Sequence, residues 1–332
     1  MQNSNEKEIF KVGLVGSGSI GVSWAIAFAT SGHDVNLFDS DPQRLSEASN
    51  DISTRLSILA TEGLISEDPK RVFKRIKFCD EMSKAVSDSD YVQESVSEDL
   101  ALKQEVFAQL DLLTAPNTIL ASSSSAIVCS LFAKDLPGRR RCLVVHPANP
   151  PYLLRVAELV PAPFTDAAIV KRASNILESA GMTPVLVKRE IEGFVFNRLQ
   201  GAMLREAYCL VRDGVVSAND LDRLVREGLG RRWAVLGPFA TSDLNVRGGL
   251  KQHAARMGES YARMGAERGQ HDPWTPDLVK LVADEIQTEL PADEWEENVV
   301  RRDLSLMILQ RAIRSDSRFG VGGSQPDMEA DT

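Results

Sequence analysis

Residues 10–21 read FKVGLVGSGSIG, an apolar run that passes directly into a glycine-rich turn and then into the alanine-rich helical pattern Val22–Ala29. The spacing G-x-G-x-x-G between a strand and a helix is typical of a loop that wraps the pyrophosphate of a dinucleotide. The first glycine allows the tight turn, the second lets the phosphates approach the backbone, and the third allows the helix to pack closely on the sheet. The free N–H groups of the first helical turn would then face the phosphates. We predict a dinucleotide-binding loop formed by Gly16, Gly18, Ser19, Ile20 and Gly21.

A carboxylate, Asp39, follows the next apolar run, Asp34–Phe38. At this position it would accept hydrogen bonds from the adenosine ribose and repel a 2′-phosphate, so the pattern favours NAD over NADP. Arg44, in the helix that follows, is the nearby cation that could accommodate NADP. The alternative is a glycine-rich turn that merely precedes a helix, with Asp39 as a polar strand end. The apolar run, the glycine-rich loop, the helical pattern that follows it and Asp39 occur together, and this combination favours an NAD site.

Short apolar runs alternate with helical patterns through the first half of the chain. A long amphipathic stretch, Pro42–Glu62, follows Asp39, and further apolar runs recur between most of the later helical patterns. Short buried strands that alternate with helices predict a parallel sheet covered on both faces. We therefore expect an α/β fold with an N-terminal, doubly wound, Rossmann-type sheet, whose later strands are Ile76–Cys79, Tyr91–Ser95, Thr118–Ala121, Cys142–Val145 and Val185–Val187.

The pattern changes near Glu190. From Gly193 onward the sequence contains no convincing strand run, and apolar residues recur at helical spacing. Ser217, with Asp220 three residues further on, has the polar side chain typical of a helix start. We predict an all-α C-terminal domain with helices at Phe194–Val211, Ser217–Gly228, Val246–Met264, Pro276–Glu285 and Asp293–Ile313. The predicted organisation is a flexible N-terminus at 1–9, an NAD-binding domain at 10–190, a helical substrate and dimerisation domain at 191–314, and a flexible tail at 315–332.

Composition and charge narrow the classes of partner. The 332 residues are 43% hydrophobic and 26% charged, which is ordinary for a globular protein and argues against disorder over most of the length. The net charge of −9 makes the chain a poor binder of nucleic acid or of an anionic membrane surface. No run of about 18 apolar residues predicts a membrane-spanning helix, and the N-terminus lacks a signal-peptide core. The four cysteines form no CxxC pair and no metal-binding spacing, so we expect thiols, a cytoplasmic location and no metal site.

Polar residues follow or interrupt several of the apolar runs. Ser122–Ser125 follows the run that ends at Ala121, and His146 follows the run Cys142–Val145, so both lie where α/β folds bind ligands. Glu158 stands in the apolar sequence VAELV, where a buried carboxylate needs a cationic or hydrogen-bonding partner. His146 is the natural partner, since a His–Glu pair raises the basicity of the imidazole and fixes its tautomer.

Each of these residues also has a purely structural interpretation. The serines could form a polar loop or a helix cap. His146 could be a hydrogen-bonded core histidine, and Asn197, on the otherwise apolar stripe of EGFVFNRLQ, could be an ordinary interior or interface asparagine. The residues alone leave these alternatives open.

Longer segments resemble the 3-hydroxyacyl-CoA dehydrogenase superfamily over roughly residues 10–314. The segments are GSGSIG, YVQESVSEDLALK, ASSSSAIV, HPANPPYLLRVAELV, EGFVFNRLQ and GLGRRWAVLGPFATSDLN. Four residues have the spacing of the family: Ser125, His146, Glu158 and Asn197. The resemblance implies that His146 is the catalytic base, that Glu158 orients it, and that Ser125 and Asn197 hold the substrate oxygen. It also implies that the nicotinamide half of NAD lies near Glu98, Lys103, Ser125 and Asn149.

Within the superfamily the chain resembles the branch that contains lambda-crystallin and L-gulonate 3-dehydrogenase. Acyl-CoA members usually read Ser-Asn-Thr-Ser in the serine run, where this chain has Ser123 and Ser124 in the middle and so keeps hydroxyl groups. They also end in a GEGFYKY-like motif that does not occur here; the chain has instead the charged segment EWEENVVRRDLSLMILQRAIRS. PANPPY and GPFATSDLN resemble the gulonate branch. Carnitine dehydrogenases share some segments but often lack an asparagine at the position of Asn197.

The resemblance implies an NAD-dependent oxidation of a CH–OH group β to a carboxyl group. We expect a small 3-hydroxy acid as substrate, L-gulonate first, with a 3-hydroxyacyl-CoA, L-carnitine or another short 3-hydroxy acid as alternatives. The substrate carboxylate needs a cation, and Arg231 and Arg232 are the best candidates, although a solvated helix end would also explain them. The family resemblance further implies a homodimer through the helical domain. The alternative of a different class is a crystallin-like structural protein that retains NAD.

Overall fold

The computed structural model of the chain describes residues 8–268, 275–286, 288 and 291–315. The predicted flexible ends lie outside the described residues, apart from 8, 9 and 315. The described residues form two compact units, of which the first contains those up to Arg198 together with Ser305–Arg311. The second contains those within Leu199–Leu304 and those from Ala312 onward. The predicted domain bounds remain predictions.

The first unit is built on one sheet of eight strands among the described residues. The strand order is β3-β2-β1-β4-β5-β6-β7-β8, so the chain winds outward from β1 in both directions. The carboxyl ends of β1 and β4, where the winding direction changes, form the crevice in which doubly wound sheets bind their ligands. The strands are β1 (Lys11–Val15), β2 (Asp34–Phe38), β3 (Ile76–Cys79), β4 (Tyr91–Glu94), β5 (Ile119–Ser122), β6 (Cys142–Pro147), β7 (Val156–Pro161) and β8 (Thr183–Leu186).

The strand β7 corrects the expectation of a uniformly parallel sheet. Every neighbouring pair is parallel except β6 and β7, which run antiparallel. Only residues 148–155 join these two strands, and a parallel connection needs a crossover of about a dozen residues or more. The short, proline-rich connection therefore turns the chain straight back. The predicted α/β fold with a doubly wound sheet and a helical second half is confirmed, and this antiparallel strand is added to it.

Most helices of the sheet unit pack against its strands. The first, α1, is apolar all round and almost fully buried, as a helix at the centre of such a layer must be. Its Trp24 ring stacks on Phe28 at 5.5 Å between centroids, and Phe28 lies 5.8 Å from the ring of Tyr91 in β4. These helices are α1 (Ser19–Thr30), α2 (Pro42–Thr61), α3 (Pro69–Phe73), α4 (Met82–Val86), α5 (Leu100–Leu113), α6 (Cys129–Ala133) and α7 (Ala167–Ser179).

After β8 the described chain is helical. Ser217 caps α9 through a hydrogen bond that its side chain accepts from the backbone N–H of Asp220, as the sequence predicts. A π-helical turn, Val225–Leu229, then leads into α10. The helices are α8 (Phe196–Arg212), α9 (Ala218–Leu224), α10 (Gly230–Val235), α11 (Pro238–Leu244), α12 (Gly249–Ala266), α13 (Pro276–Ile286) and α14 (Trp295–Ser315). None of the described helices is both long enough and apolar enough to cross a bilayer.

Candidate active site

The glycine loop joins β1 to α1, and its shape depends on two of its glycines. Gly16 has a φ of 101°, and a Cβ there would lie 2.6 Å from the carbonyl oxygen of Ser95. A Cβ at Gly21 would lie 1.9 Å from the carbonyl oxygen of Gly16, so α1 can pack on the loop only with glycine at this position. At Gly18, by contrast, no other described residue beyond its chain neighbours has an atom within 4 Å of the Cβ position. The loop therefore leaves open space at the N-terminus of α1, as phosphate binding requires.

The carboxylate of Asp39, at the end of β2, is held by donors from two loops. Its Oδ2 accepts hydrogen bonds from the backbone N–H of Ser17 at 2.7 Å and from the Ser17 hydroxyl at 2.9 Å. Its Oδ1 accepts one from the backbone N–H of Asp41 at 3.0 Å. Partial burial opposes ionisation, but these donors outweigh it and keep the pKa of Asp39 below its ordinary value. The side chain is therefore a fixed anion where the sequence predicts ribose recognition.

A cleft of about 760 Å³ follows the glycine loop within the first unit, a volume in the usual range for small-molecule sites. The residues that line it include Gly16, Gly18, Asp39, Arg44 and Ser95. A close backbone approach at Gly16, open space at Gly18 and an anion at Asp39 are what a dinucleotide without a 2′-phosphate needs. The residues present therefore fit NAD.

His146 and Glu158 form a buried pair on the adjacent strands β6 and β7. The two residues are directly opposite in the register of the strands. His146 Nδ1 lies 2.8 Å from Glu158 Oε2, and each side chain is less than 9% exposed. Burial of Glu158 opposes ionisation, but hydrogen bonds from His146 and from two backbone N–H groups outweigh it and lower the pKa of the carboxyl group. An ionised Glu158 requires Nδ1 to carry a hydrogen, which leaves Nε2 as the basic nitrogen of a neutral imidazole.

The second oxygen of Glu158 is held by the turn that precedes α8. Its Oε1 accepts hydrogen bonds from the backbone N–H groups of Val195 at 2.7 Å and Phe196 at 3.0 Å. Before them, Gly193 and Phe194 both have positive φ, at 72° and 50°. A positive φ is costly for a bulky residue such as Phe194, so this corner is held by its surroundings. It also explains why α8 begins at Phe196, two residues later than predicted.

The serine loop after β5 is tied to the first turn of α8. Asn197 Nδ2 donates a hydrogen bond to the carbonyl oxygen of Ser125 at 2.9 Å. Because Asn197 directly follows Phe196, whose N–H binds Glu158, the first turn of α8 contacts both the His146–Glu158 pair and the serine loop. The structure thus brings Ser125, His146, Glu158 and Asn197 into one connected arrangement.

Glu98 also holds this serine loop. Its Oε1 accepts hydrogen bonds from the Ser124 hydroxyl at 2.6 Å and from three successive backbone N–H groups, those of residues 125–127, at 2.9–3.2 Å. Partial burial opposes ionisation, but these donors and Lys103 outweigh it and lower the pKa of Glu98. The residue predicted near the nicotinamide therefore also fixes the loop that carries Ser125.

Lys103 lies in a buried cluster that includes Glu94, a carboxylate that the sequence patterns do not predict as part of the site. Its Nζ is 3.0 Å from Glu94 Oε1 and 3.4 Å from Glu98 Oε2, and its side chain is 1% exposed. Glu94 is fully buried; burial raises the pKa of its carboxyl group, against the opposing effects of Lys103 and the Ser122 hydroxyl. The available signal is a glutamate inside the predicted strand run Tyr91–Ser95, because a buried carboxylate needs a partner.

The remaining predicted residues lie further along the chain. Asn149 is exposed just after β6, and its peptide bond to Pro150 is cis. In the second unit, Arg231 forms an ion pair with Glu227, and Arg232 Nη2 donates to Asn245 Oδ1 at 2.6 Å. Both arginines line a shallow cavity of about 350 Å³ with Leu236, Thr241, Leu244 and Asn245.

Two family models and several known proteins match most of the length of this chain. Residues 11–191 match the NAD binding domain of 3-hydroxyacyl-CoA dehydrogenase, and residues 193–285 match its C-terminal domain. The chain is 36% identical over 299 residues to lambda-crystallin of Oryctolagus cuniculus, which covers 87% of this chain and 93% of that protein. It is 35% identical over 315 residues to a 3-hydroxyacyl-CoA dehydrogenase of Gibberella moniliformis, which covers 92% of this chain and 95% of that protein.

A solved structure agrees with these matches. The chain is similar to a 5-formyl-3-hydroxy-2-methylpyridine 4-carboxylic acid 5-dehydrogenase, described as an NAD⁺-dependent dismutase, with a TM-score of 0.80 and 25% identity. The similarity covers 93% of this chain and all of that one. The resemblance inferred from the sequence motifs is confirmed, and with it the NAD cofactor. The chain belongs to the 3-hydroxyacyl-CoA dehydrogenase family of NAD-dependent oxidoreductases, which act on CH–OH groups.

Proposed function

We propose that this chain oxidises the 3-hydroxyl group of a small 3-hydroxy acid, and that its substrate is L-gulonate, converted to 3-dehydro-L-gulonate. The observation that carries the chemistry is the 2.8 Å contact between His146 Nδ1 and Glu158 Oε2. It leaves Nε2 of a neutral imidazole as the base, and an imidazole is well matched to proton transfer near neutral pH. Bound NAD supplies the acceptor for the hydride that leaves the carbinol carbon.

In the proposed mechanism His146 removes the hydroxyl proton as the C–H bond breaks. The proton passes from the substrate oxygen to Nε2, and the ring becomes an imidazolium. Glu158, already ionised and hydrogen-bonded to Nδ1, stabilises this positive charge without moving. The reverse step returns the proton to the carbonyl oxygen during reduction.

We assign Ser125 and Asn197 to the reacting oxygen of the substrate. The hydrogen bond from Asn197 Nδ2 to the Ser125 carbonyl fixes the two residues relative to each other. A hydroxyl group and an amide at fixed positions can orient the substrate oxygen and stabilise the negative charge that develops on it during reduction. In our proposal Glu98, Lys103 and Asn149 lie towards the nicotinamide half of the cofactor, and Arg231 or Arg232 binds the substrate carboxylate.

The choice of a free hydroxy acid rests on the sequence segments that resemble the gulonate branch and on charge. A net charge of −9 gives little help in holding the several phosphates of coenzyme A, whereas one bidentate arginine satisfies a single carboxylate. The alternative substrates are a 3-hydroxyacyl-CoA and L-carnitine.

A substrate panel tests this proposal. The purified protein is supplied with NAD and with L-gulonate, 3-hydroxybutyrate, L-carnitine or 3-hydroxybutyryl-CoA. The formation of NADH is measured instead of the product, because a β-keto acid can lose carbon dioxide without an enzyme. We expect the highest kcat/KM with L-gulonate, and a kcat lower by about 10²- to 10⁴-fold for the His146→Ala variant. A higher value with 3-hydroxybutyryl-CoA than with every free acid would show that the assignment to the gulonate branch is wrong. If no substrate yields NADH, the crystallin-like structural interpretation is favoured.

We further propose a cytoplasmic homodimer. Large apolar side chains of the second unit are exposed in the single chain, including Phe239 at 76%, Leu244 at 72% and Leu224 at 64%, and a second copy would remove them from water. The cytoplasmic location rests on the four cysteines, which are free thiols. Light scattering of the purified protein tests the dimer: a monomer mass at assay concentrations would contradict it.

A further inference from the structure

The hydroxyl group of Ser123 is the centre of a hydrogen-bond network behind the glycine loop. Three side chains reach its Oγ: Trp24 Nε1 at 3.1 Å, Gln93 Nε2 at 2.7 Å and Ser95 Oγ at 2.9 Å. Trp24 and Gln93 are fully buried. None of these contacts is used by the proposed proton transfer.

The orientation of the Gln93 amide is fixed by its other partners. Its Nε2 also lies 3.1 Å from the carbonyl oxygen of Val145, which can only accept a hydrogen bond. Its Oε1 accepts a hydrogen bond from the hydroxyl group of Tyr91. The atom that faces Ser123 is therefore the amide nitrogen, a donor.

Counting donors and acceptors then decides the direction of the bond between the two serines. A hydroxyl oxygen has two acceptor positions and one hydrogen. The indole N–H of Trp24 and the amide N–H of Gln93 are both donors and fill the two acceptor positions of Ser123. The hydrogen of Ser123 must therefore be donated to Ser95, whose own hydrogen points elsewhere.

Ser95 lines the cleft in which the dinucleotide would bind. It follows β4 directly at the carboxyl end of the sheet, and it lines the cleft together with Gly16 and Gly18. Its carbonyl oxygen lies 2.6 Å from the position of a Cβ on Gly16, so it borders the glycine loop. Apart from Ser123, whose two acceptor positions are already filled, no acceptor for the Ser95 hydroxyl hydrogen is found among the residues that the structure describes.

We propose that Ser95 is a further cofactor-binding residue, whose hydroxyl group donates a hydrogen bond to an acceptor oxygen of the bound dinucleotide. Ser123 is the positioning residue that makes Ser95 a donor. The buried Trp24 and Gln93 enforce this direction, because an unsatisfied donor in the core is costly.

Direct binding measurements test the role of Ser95 without any substrate, so their failure leaves the proposed reaction untouched. The dissociation constants of NADH and of ADP-ribose are measured by calorimetry for the unmodified protein and for Ser95→Ala. We expect NADH to bind about three- to tenfold more weakly to the variant, the range of one lost hydrogen bond. An equal loss for ADP-ribose places the acceptor in the ADP-ribose part; a loss for NADH alone places it on the nicotinamide. Unchanged binding of both ligands overturns the proposal.

A matched control and a coupled variant test the direction of the network. Ser57→Ala removes an exposed helical hydroxyl whose one hydrogen-bond partner within the described part of the chain is the carbonyl oxygen of Ser53, and it should leave both dissociation constants unchanged. Trp24→Phe frees one acceptor position on Ser123, so that Ser95 can donate to Ser123 instead. Adding Ser95→Ala should then weaken NADH binding by a smaller factor in the Trp24→Phe background than in the unmodified protein. Equal factors in the two backgrounds would show that Ser123 does not direct Ser95. Thermal unfolding of each variant checks that it is folded. If Trp24→Phe does not fold, the comparison of Ser95→Ala with the unmodified protein still tests the role of Ser95.

Discussion

His146 and Glu158 face each other directly across the antiparallel pair β6–β7, and 2.8 Å separates His146 Nδ1 from Glu158 Oε2. Residues opposite each other in such a pair project to the same face of the sheet, within contact distance. Both partners are therefore held by strands, which position side chains more precisely than loops do. The N–H groups of Val195 and Phe196 occupy the other oxygen of Glu158 and fix its orientation.

Replacing either member of the pair should reduce turnover far more than cofactor binding. His146→Ala removes the base, and we expect kcat to fall by about 10²- to 10⁴-fold, the usual contribution of a general base. Glu158→Gln presents an amide N–H to Nδ1, which places the imidazole hydrogen on Nε2 and removes the basic site. Steady-state kinetics measure both effects. Near-normal turnover of His146→Ala would show that the mechanism is wrong. As a control, titrations of both variants with NADH should give dissociation constants close to that of the unmodified protein.

Acid should destabilise the protein through the three hydrogen-bonded carboxylates whose pKa values are lowered. The pKa values of Glu158, Glu98 and Asp39 are all lowered in the folded protein. Their contribution to stability is therefore complete above the ordinary carboxyl pKa of about 4 and is lost as the pH falls through the lower folded values. Urea unfolding at a series of pH values should show this loss, and Glu158→Gln should show a shallower one. An identical acid dependence in the two proteins would contradict the prediction.

Replacing each of two glycines of the glycine loop, Gly18 and Gly21, with alanine should have different effects. Gly21→Ala places a methyl group 1.9 Å from the Gly16 carbonyl oxygen, and the clash should destabilise the fold by about 1–3 kcal/mol. Gly18→Ala meets open space, so it should keep its thermal stability and yet weaken NADH binding, because the methyl group enters the space reserved for phosphate. Thermal unfolding and NADH titration of both variants measure the two effects. A stable Gly21→Ala protein with normal NADH affinity would refute this interpretation of the loop.

Asp39 should determine the choice between NAD and NADP. As a fixed anion it favours ribose hydroxyls and repels a 2′-phosphate. We expect kcat/KM to be much higher with NAD than with NADP, and Asp39→Ala to narrow the ratio, mainly through a lower KM for NADP. Equal use of the two cofactors by the unmodified protein would rule out this role.

The sequence predicts the local features of the fold better than its long-range pairings. The glycine loop, Asp39, the helical second half and the Ser217 cap are visible because each follows from residues close together in the chain. The sequence patterns do not predict β7 as a strand, and the direction of this strand is set by the short connection from β6 rather than by the pattern of VAELV. Neither an alternation of apolar and polar residues nor a short apolar run specifies which neighbouring strand a strand pairs with.

The same limit applies to the candidate site. Pairing a buried Glu158 with His146 could be predicted from the cost of an isolated carboxylate. The backbone donors from Val195 and Phe196 could not, because they depend on positive φ at Phe194, a bulky residue for which the sequence offers no warning. The Ser123 network likewise depends on Trp24 and Gln93, which are far apart in sequence and have no recognisable spacing.

The two arginines of α10 should distinguish a charged substrate from a neutral one. If Arg231 or Arg232 binds the substrate carboxylate, replacing it with methionine should cost about 2–4 kcal/mol, or roughly 30- to 1000-fold in kcat/KM for the acid. The loss should be much smaller for an amide or ester of the same acid, which has no charge to pair. Arg226→Met is the matched control, since this exposed arginine contacts the same Glu227 as Arg231 does. Kinetics with acid and amide for the three variants measure the difference. If Arg231→Met and Arg232→Met each lower kcat/KM by the same factor for the acid and for the amide, neither arginine recognises the carboxylate.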